Sequence, residues 1–203
     1  MAVPRLALLA AALAAPCALA QAPQLAAEPT EAQQAIAWAA DLVDRGAYEE
    51  ALQAYRDAAK KFADTPEGEL AARRCAPNSL LGWGELVVHG PSANRVDIVL
   101  CGDGYVPNHL SAFAQIASGI PPCFERQRVF REYWSYLNFH IAHVVSTEDG
   151  IDFRDRLYDT ALNTSIVDAP DEHATVDHAR VREVLSEIPA FEGLAIVQSR
   201  QVA

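Results

Sequence analysis

Asp103 and Tyr105 stand just past a run of apolar residues, framed by Gly102 and Gly104. An acid and a phenol delivered to the end of a buried strand can hold a metal, orient a histidine or contact a substrate. The rim of an α/β sheet is where such groups usually work. The same Gly-Asp-Gly stretch also makes a tight turn whose aspartate bonds nearby backbone amides, and turn chemistry favours this structural role. A second acidic loop, Glu148-Asp149-Gly150-Ile151-Asp152, offers Asp152 as a further residue of the site edge. Its acids suit calcium in type but lack the regular ligand spacing of a calcium-binding loop, so it reads as a polar loop at the sheet edge.

His140 and His143 lie three positions apart. On a helix they would occupy adjoining faces; in the β-rich stretch around them they fall on opposite faces and cannot share one metal ion. His173 and His178 accompany Asp171, Glu172 and Asp177. This mixture can bind a divalent ion, but it reads better as a solvated helix N-terminus whose acids complement the helix dipole. Cys101 ends an apolar strand and acts as a small hydrophobe. Cys75 and Cys123 both flank proline-containing loops; whether they pair is open in the sequence. None of the cysteines has metal-type C-x-x-C spacing, and a redox role would need an exposed thiol of low pKa. There is no His-Glu-x-x-His, no Gly-x-Ser-x-Gly elbow and no phosphate-binding glycine loop. Accordingly no catalytic residue and no metal ligand is assigned; Asp103, Tyr105 and Asp152 are candidate site-edge residues.

The elements expected to position these residues begin at Thr30, an N-cap with Gln33 as its capping-box partner. Ile36, Ala39, Ala40 and Val43 mark one face of a first helix ending near Gly46. Tyr48, Ala51, Leu52, Tyr55, Ala58, Ala59 and Phe62 mark one face of a second. A short helix is expected over 69–75. The helix-glycine-helix unit over 30–75 resembles a single tetratricopeptide repeat in its glycine, small and aromatic positions, though Ala35 and Trp38-Ala39 replace the usual tryptophan and Leu-Gly. It equally reads as an ordinary helical hairpin. One repeat cannot bury its own face, so it must pack on the following domain or on another chain.

From about residue 80 the pattern becomes α/β. A short strand is expected over 86–88, a strand over 96–101, and a helix from 108 or 109 to 119 ended by Pro121-Pro122. A helical stretch over 124–136 and a strand over 137–146 follow. In that strand Phe139, Ile141 and Val145 oppose His140, Ala142 and Val144. Thr175 is expected to cap a helix through Glu187, with Ala179, Val181, Val184, Leu185 and Ile188 buried, and a last strand covers 194–197. Strands separated by helices imply an α/β fold with a layered, largely parallel sheet, preceded by the α-helical hairpin.

Hydrophobic residues make up 51% of the 203 residues and the net charge is -11. That balance is globular, and without a basic stripe it disfavours nucleic acid and anionic membranes as partners. The first twenty residues read as a cleaved export signal: Arg5, an apolar stretch, and a small-x-small site at Ala18-Leu19-Ala20. The apolar stretch is too short to span a bilayer, which needs roughly 18 residues. A secreted or periplasmic chain with no membrane contact after cleavage is expected, with 21–29 as a linker.

Three landmarks in order over 93–200 resemble the bacterial immunoglobulin A peptidase type of zinc metallopeptidase. The first is the strand from Arg95 to Cys101 ending in Gly102-Asp103-Gly104-Tyr105. The second is Phe130-x-x-Tyr133 leading to Asn138-Phe139-His140, Val144-Val145-Ser146 and Glu148-x-Gly150-x-Asp152. The third is Asp159-Thr160-Ala161. The resemblance implies an exported α/β peptidase in which a later His-Glu-x-x-His helix binds zinc and its glutamate activates the bound water. Those residues are not in this chain, so the resemblance implies the N-terminal portion of such an enzyme over 80–203. The chain alone is expected to be inactive and without zinc; zinc and a peptide or protein substrate belong to a complete parent. The other expectation is a non-catalytic exported interaction protein that receives a protein partner on its helical hairpin. An exposed stripe at Tyr48, Leu52 and Tyr55 would favour that use, and their burial would make the hairpin a prop.

Overall fold

Thr30 opens the first helix with a complete capping box: its hydroxyl accepts from the Gln33 amide, and the Gln33 side chain accepts from the Thr30 amide. The computed structural model describes residues 28–167 and 173–200. Residues 1–27, over which an export signal and most of a linker are expected, together with Asp171 and Glu172, therefore lie outside the described residues. Helix α1 covers Glu31–Asp44, α2 Tyr48–Lys61 and α3 Pro66–Arg74. Thr65 caps α3 with Pro66 in its first turn, which is why it starts earlier than its apolar pattern alone suggests. Ala39 and Val43 are buried while Ala40 is exposed. Neighbouring helical residues point about 100° apart, so only one of the two alanines can face the core.

The sheet that follows has the order β1-β3-β2-β7. Its strands are β1 (Ser79–Val87), β2 (Val96–Asp103), β3 (Leu137–Val145) and β7 (Ala195–Ser199). β3, β2 and β7 run parallel, and β1 is an antiparallel edge on β3. The strand expected over 86–88 is thus only the end of β1. Gly82, Gly84 and two register irregularities interrupt the alternation by which a strand is recognised.

Helix α4 (Leu110–Arg126) runs through Pro121 and Pro122 instead of ending there. Proline already has a helical φ; in a helix it removes the hydrogen bond to the residue four back, and Pro121 is compensated by burial. The continuous helix expected over 124–136 is instead broken at Gln127, whose ψ of 127° is extended. What remains there is α5 (Arg128–Arg131) and a 3₁₀ turn over Trp134–Tyr136. A small second sheet, absent from the sequence expectations, pairs β4 (Asp152–Phe153), β5 (Ser165–Val167) and β6 (His173–Thr175). Thr175 consequently ends a strand. The cap of α6 (His178–Leu185) is Asp177, whose carboxylate accepts from the amides of Ala179 and Arg180. Ala179 is exposed on this helix.

Helices cover both faces of the main sheet. On one face Tyr48, Leu52, Tyr55, Phe113, Phe139 and Ile141 belong to a single core joining the hairpin, α4 and the strands. On the other, Val99, Ala142 and Val144 meet Leu162, Val181 and Leu185. β3 is buried along its whole length, and its residues divide between the two cores as their alternation predicts. The fold is α/β.

Candidate functional site

Strand β2 carries Asp103 to the carboxyl end of the parallel strands, where a loop of the chain closes over it. Gly102 lets two rings approach, since a Cβ there would lie 2.8 Å from Tyr105 and 2.9 Å from Phe113. Gly104 turns the chain at φ +76°, and a Cβ on it would collide with the Gly150 carbonyl. Asp103 is fully buried. Its Oδ1 accepts from Ser146 Oγ at 3.1 Å and the Leu162 amide at 3.0 Å; Oδ2 accepts from Thr160 Oγ1 at 3.0 Å and the Thr164 amide at 2.9 Å. Ser146 Oγ in turn accepts from the amides of Gly104 and Ala161. With its lone pairs taken by four donors, Asp103 has nothing left for a metal ion or substrate and acts as the clasp of this edge.

Tyr105 is buried beneath the same edge. Its ring packs on Phe113 with centroids 5.5 Å apart, and its hydroxyl donates to Gln198 Oε1 at the end of β7. Burial pushes the phenol pKa up, against the Gln198 hydrogen bond and the Arg200 charge that lower it. Asp152 is separate from both: it sits on β4, where Oδ1 accepts from the Tyr158 amide at 2.6 Å. The three candidate edge residues therefore do not form one site.

A different group gathers at the rim: His109, Asp149 and Arg200. His109 Nδ1 lies 2.9 Å from Asp149 Oδ1, while the Arg200 guanidinium donates to both Asp149 oxygens and lies over the Tyr105 ring. Burial would raise the Asp149 carboxyl, but hydrogen bonds and charge from Arg200 and His109 hold it below the usual range. Asp149 lies within hydrogen-bond reach of the partly exposed His109 ring and orients it at the surface. The sequence hides this group, because His109 and Asp149 are 40 positions apart and Asp149 and Arg200 are 51. The only local hints are a histidine soon after the Gly-Asp-Gly turn and an acid beside Gly150.

His140 and His143 do point to opposite faces. Asp97 Oδ1 lies 2.8 Å from His140 Nε2 and accepts from the Asn138 amide group at 2.9 Å, deep beneath the sheet's other end. Burial opposes ionisation of Asp97, yet these hydrogen bonds hold its pKa below the ordinary value. His143 instead stacks on Tyr48, with centroids 5.0 Å apart, and burial pushes its pKa down to about 4. Cys75, Cys101 and Cys123 are all free thiols, so Cys75 and Cys123 are not joined; burial pushes Cys101 up to about 12. The described part of the 173–178 segment divides between β6 and the α6 cap.

The described residues do not fit a zinc centre. No group of three or more His, Cys, Asp or Glu side chains gathers among them. At the rim, His109 and Asp149 share their carboxylate with a guanidinium, which repels a cation. No helix of the described residues is long and apolar enough to cross a membrane. No protein-family model matches this chain, and a search of curated proteins finds no match.

Proposed function

We propose that this chain is the N-terminal portion of an exported zinc-metallopeptidase-like protein, secreted or periplasmic, and that it supplies the scaffold and rim of a peptide-hydrolysing α/β domain. On its own it is inactive. One observation carries the reading: the three landmarks of the resemblance converge on a single carboxylate. Asp103 comes from the first, Ser146 from the second and Thr160-Ala161 from the third, and all are joined through hydrogen bonds to Asp103 and Ser146. Residues scattered along the chain thus have one physical reason to occur together. Since the described residues do not fit zinc, the metal and its ligands belong in this reading to the complete parent, and no reaction step is assigned to this chain.

The hairpin's part is structural. Tyr48, Leu52 and Tyr55, the stripe a partner peptide would need, are buried in the core shared with the sheet. Two measurements test the proposal. The purified chain with added zinc should not cleave fluorogenic peptides, and chelator-sensitive cleavage overturns its inactivity. Coding sequence read beyond codon 203 should contain a His-Glu-x-x-His segment within a few hundred codons; its absence overturns the parentage.

A further inference from the structure

The main sheet has two outer strands, β1 and β7. β1 is guarded against further pairing: two register irregularities break its ladder, Gly82 and Gly84 weaken it, and Glu85 stands exposed on it. Bulges and charges of this kind keep an edge strand from taking another chain. β7 has none of them. Leu194 to Ser199 holds no charge, proline or glycine, its pairing with β2 is regular, and every residue of β7 is partly exposed. The ladder to β2 also fixes which backbone groups point away. The Leu194 carbonyl accepts from the Val99 amide at 3.1 Å, and the Arg200 amide donates to the Asp103 carbonyl at 3.0 Å. A strand turns its peptide groups alternately to either side, so Ile196 and Gln198 face β2 while Ala195, Val197 and Ser199 face outward. No described residue accepts from these three outward N–H groups, and the Ser199 carbonyl alone takes a side chain, the Gln198 amide. Donors and acceptors in this spacing match the main chain of another extended segment.

We infer that β7 is a dimerisation strand: it pairs antiparallel with β7 of a second copy of this chain about a two-fold axis at Val197, joining the two four-stranded sheets into one. The strand's own sequence argues for that occupant. A register centred on Val197 pairs all five residues of β7. It sets Val197 against its own copy, Ala195 against Ser199 of the second copy, and Ile196 against Gln198 of the second copy. The three outward residues then form the hydrogen-bonded pairs of the ladder, and no like charges meet along it. Ala195 and Val197 pack on the core beneath α6, so pairing continues that core from one copy to the other. A two-fold contact of this kind uses the same patch on both partners and closes after two copies. A single strand pair is a small interface, which puts the dimer in the weak, reversible class. Pairing through β7 needs neither zinc nor coding sequence beyond codon 203, so its failure would leave the peptidase reading standing.

Sedimentation velocity on the full chain should show a monomer–dimer equilibrium between about 1 and 200 μM. Residue 197 faces its own copy, so a charge placed there meets the same charge. Val197→Lys and Val197→Glu should therefore each weaken the dimer about ten-fold or more, and an equimolar mixture of the two should associate again. Hydrogen exchange adds a readout of the backbone. The amides of Ala195, Val197 and Ser199 should exchange more slowly as the wild-type concentration rises, while those of Ile196 and Gln198, already bonded to β2, should not change. A monomer over the whole range, a dimer that both Val197 variants leave intact, or folded variants that fail to associate when mixed overturns the inference. Circular dichroism establishes that the variants fold. If either does not, the wild-type exchange pattern decides: slowing confined to the three outward amides supports the pairing, and its absence overturns it.

Discussion

Replacing Asp103 with asparagine keeps the size of the side chain and changes only what one of its two oxygens can do. At Oδ1 the new amide nitrogen would face Ser146 Oγ, which already accepts from Gly104 and Ala161, and the Leu162 amide. At Oδ2 it would face Thr160 Oγ1, which can turn and accept, and the Thr164 amide, which cannot. The amide therefore settles with its nitrogen toward Thr160 and leaves the Thr164 N–H unsatisfied. A buried donor without a partner costs about 1–3 kcal/mol, and a bond to a charged group contributes about 1.5–3 kcal/mol. The sum for Asp103→Asn is about 2.5–6 kcal/mol, a large part of the roughly 5–15 kcal/mol that holds a typical domain. For a chain of this size that lowers the melting temperature by roughly 5–24 °C. Urea and thermal denaturation followed by circular dichroism measure it directly. The same geometry ranks two neighbours. Ser146→Ala strands two backbone amides and should cost more than Thr160→Val, which strands none. Asp103→Asn within about 0.5 kcal/mol of the wild type, or Thr160→Val costlier than Ser146→Ala, refutes the clasp.

Three further outcomes are expected. Burial lowers the His143 pKa from 6.5 to about 4, so the unfolded chain binds a proton that the folded one refuses. Stability should therefore fall by about 3 kcal/mol as pH drops from about 6.5 to about 4, and His143→Gln should flatten urea midpoints across that window. Asp97 and Asp149, whose pKa values are depressed, add a loss in the same sense only as pH falls below the ordinary carboxylate range. Leu52→Ala should cost about 2–4 kcal/mol and leave one cooperative unfolding transition, since Leu52 lies in the core shared by hairpin and sheet; a separate hairpin transition would contradict this. Exposed Cys123 should react with a thiol reagent in the native protein, whereas buried Cys101 should react only after denaturation; native labelling of Cys101, read by mass spectrometry, would refute its placement.

Local signals were legible wherever one physical cause acted alone. The capping box at Thr30, the buried stripe of α2 and the two-faced alternation of β3 all appear at or near their expected positions. Competing causes obscured the rest. Gly82 and Gly84 removed the side chains by which β1 would have been recognised, and Pro121 and Pro122 masked a helix that burial sustains. β4, β5 and β6 are too short to carry a period at all.

By itself the sequence determined the α/β class, the helical start, and the separation of His140 from His143, because each follows from periodicity along a few neighbouring residues. Only the tertiary structure decided the fate of the acids. Asp103 became a buried clasp because donors from Ser146, Thr160, Leu162 and Thr164 arrive across 43 to 61 positions. Asp149, which had no special standing in the sequence, gained an imidazole from the turn that leads into α4 and a guanidinium from just past the last strand. A carboxylate's role depends on which donors reach it, and folding brings those donors from parts of the chain that local spacing cannot connect.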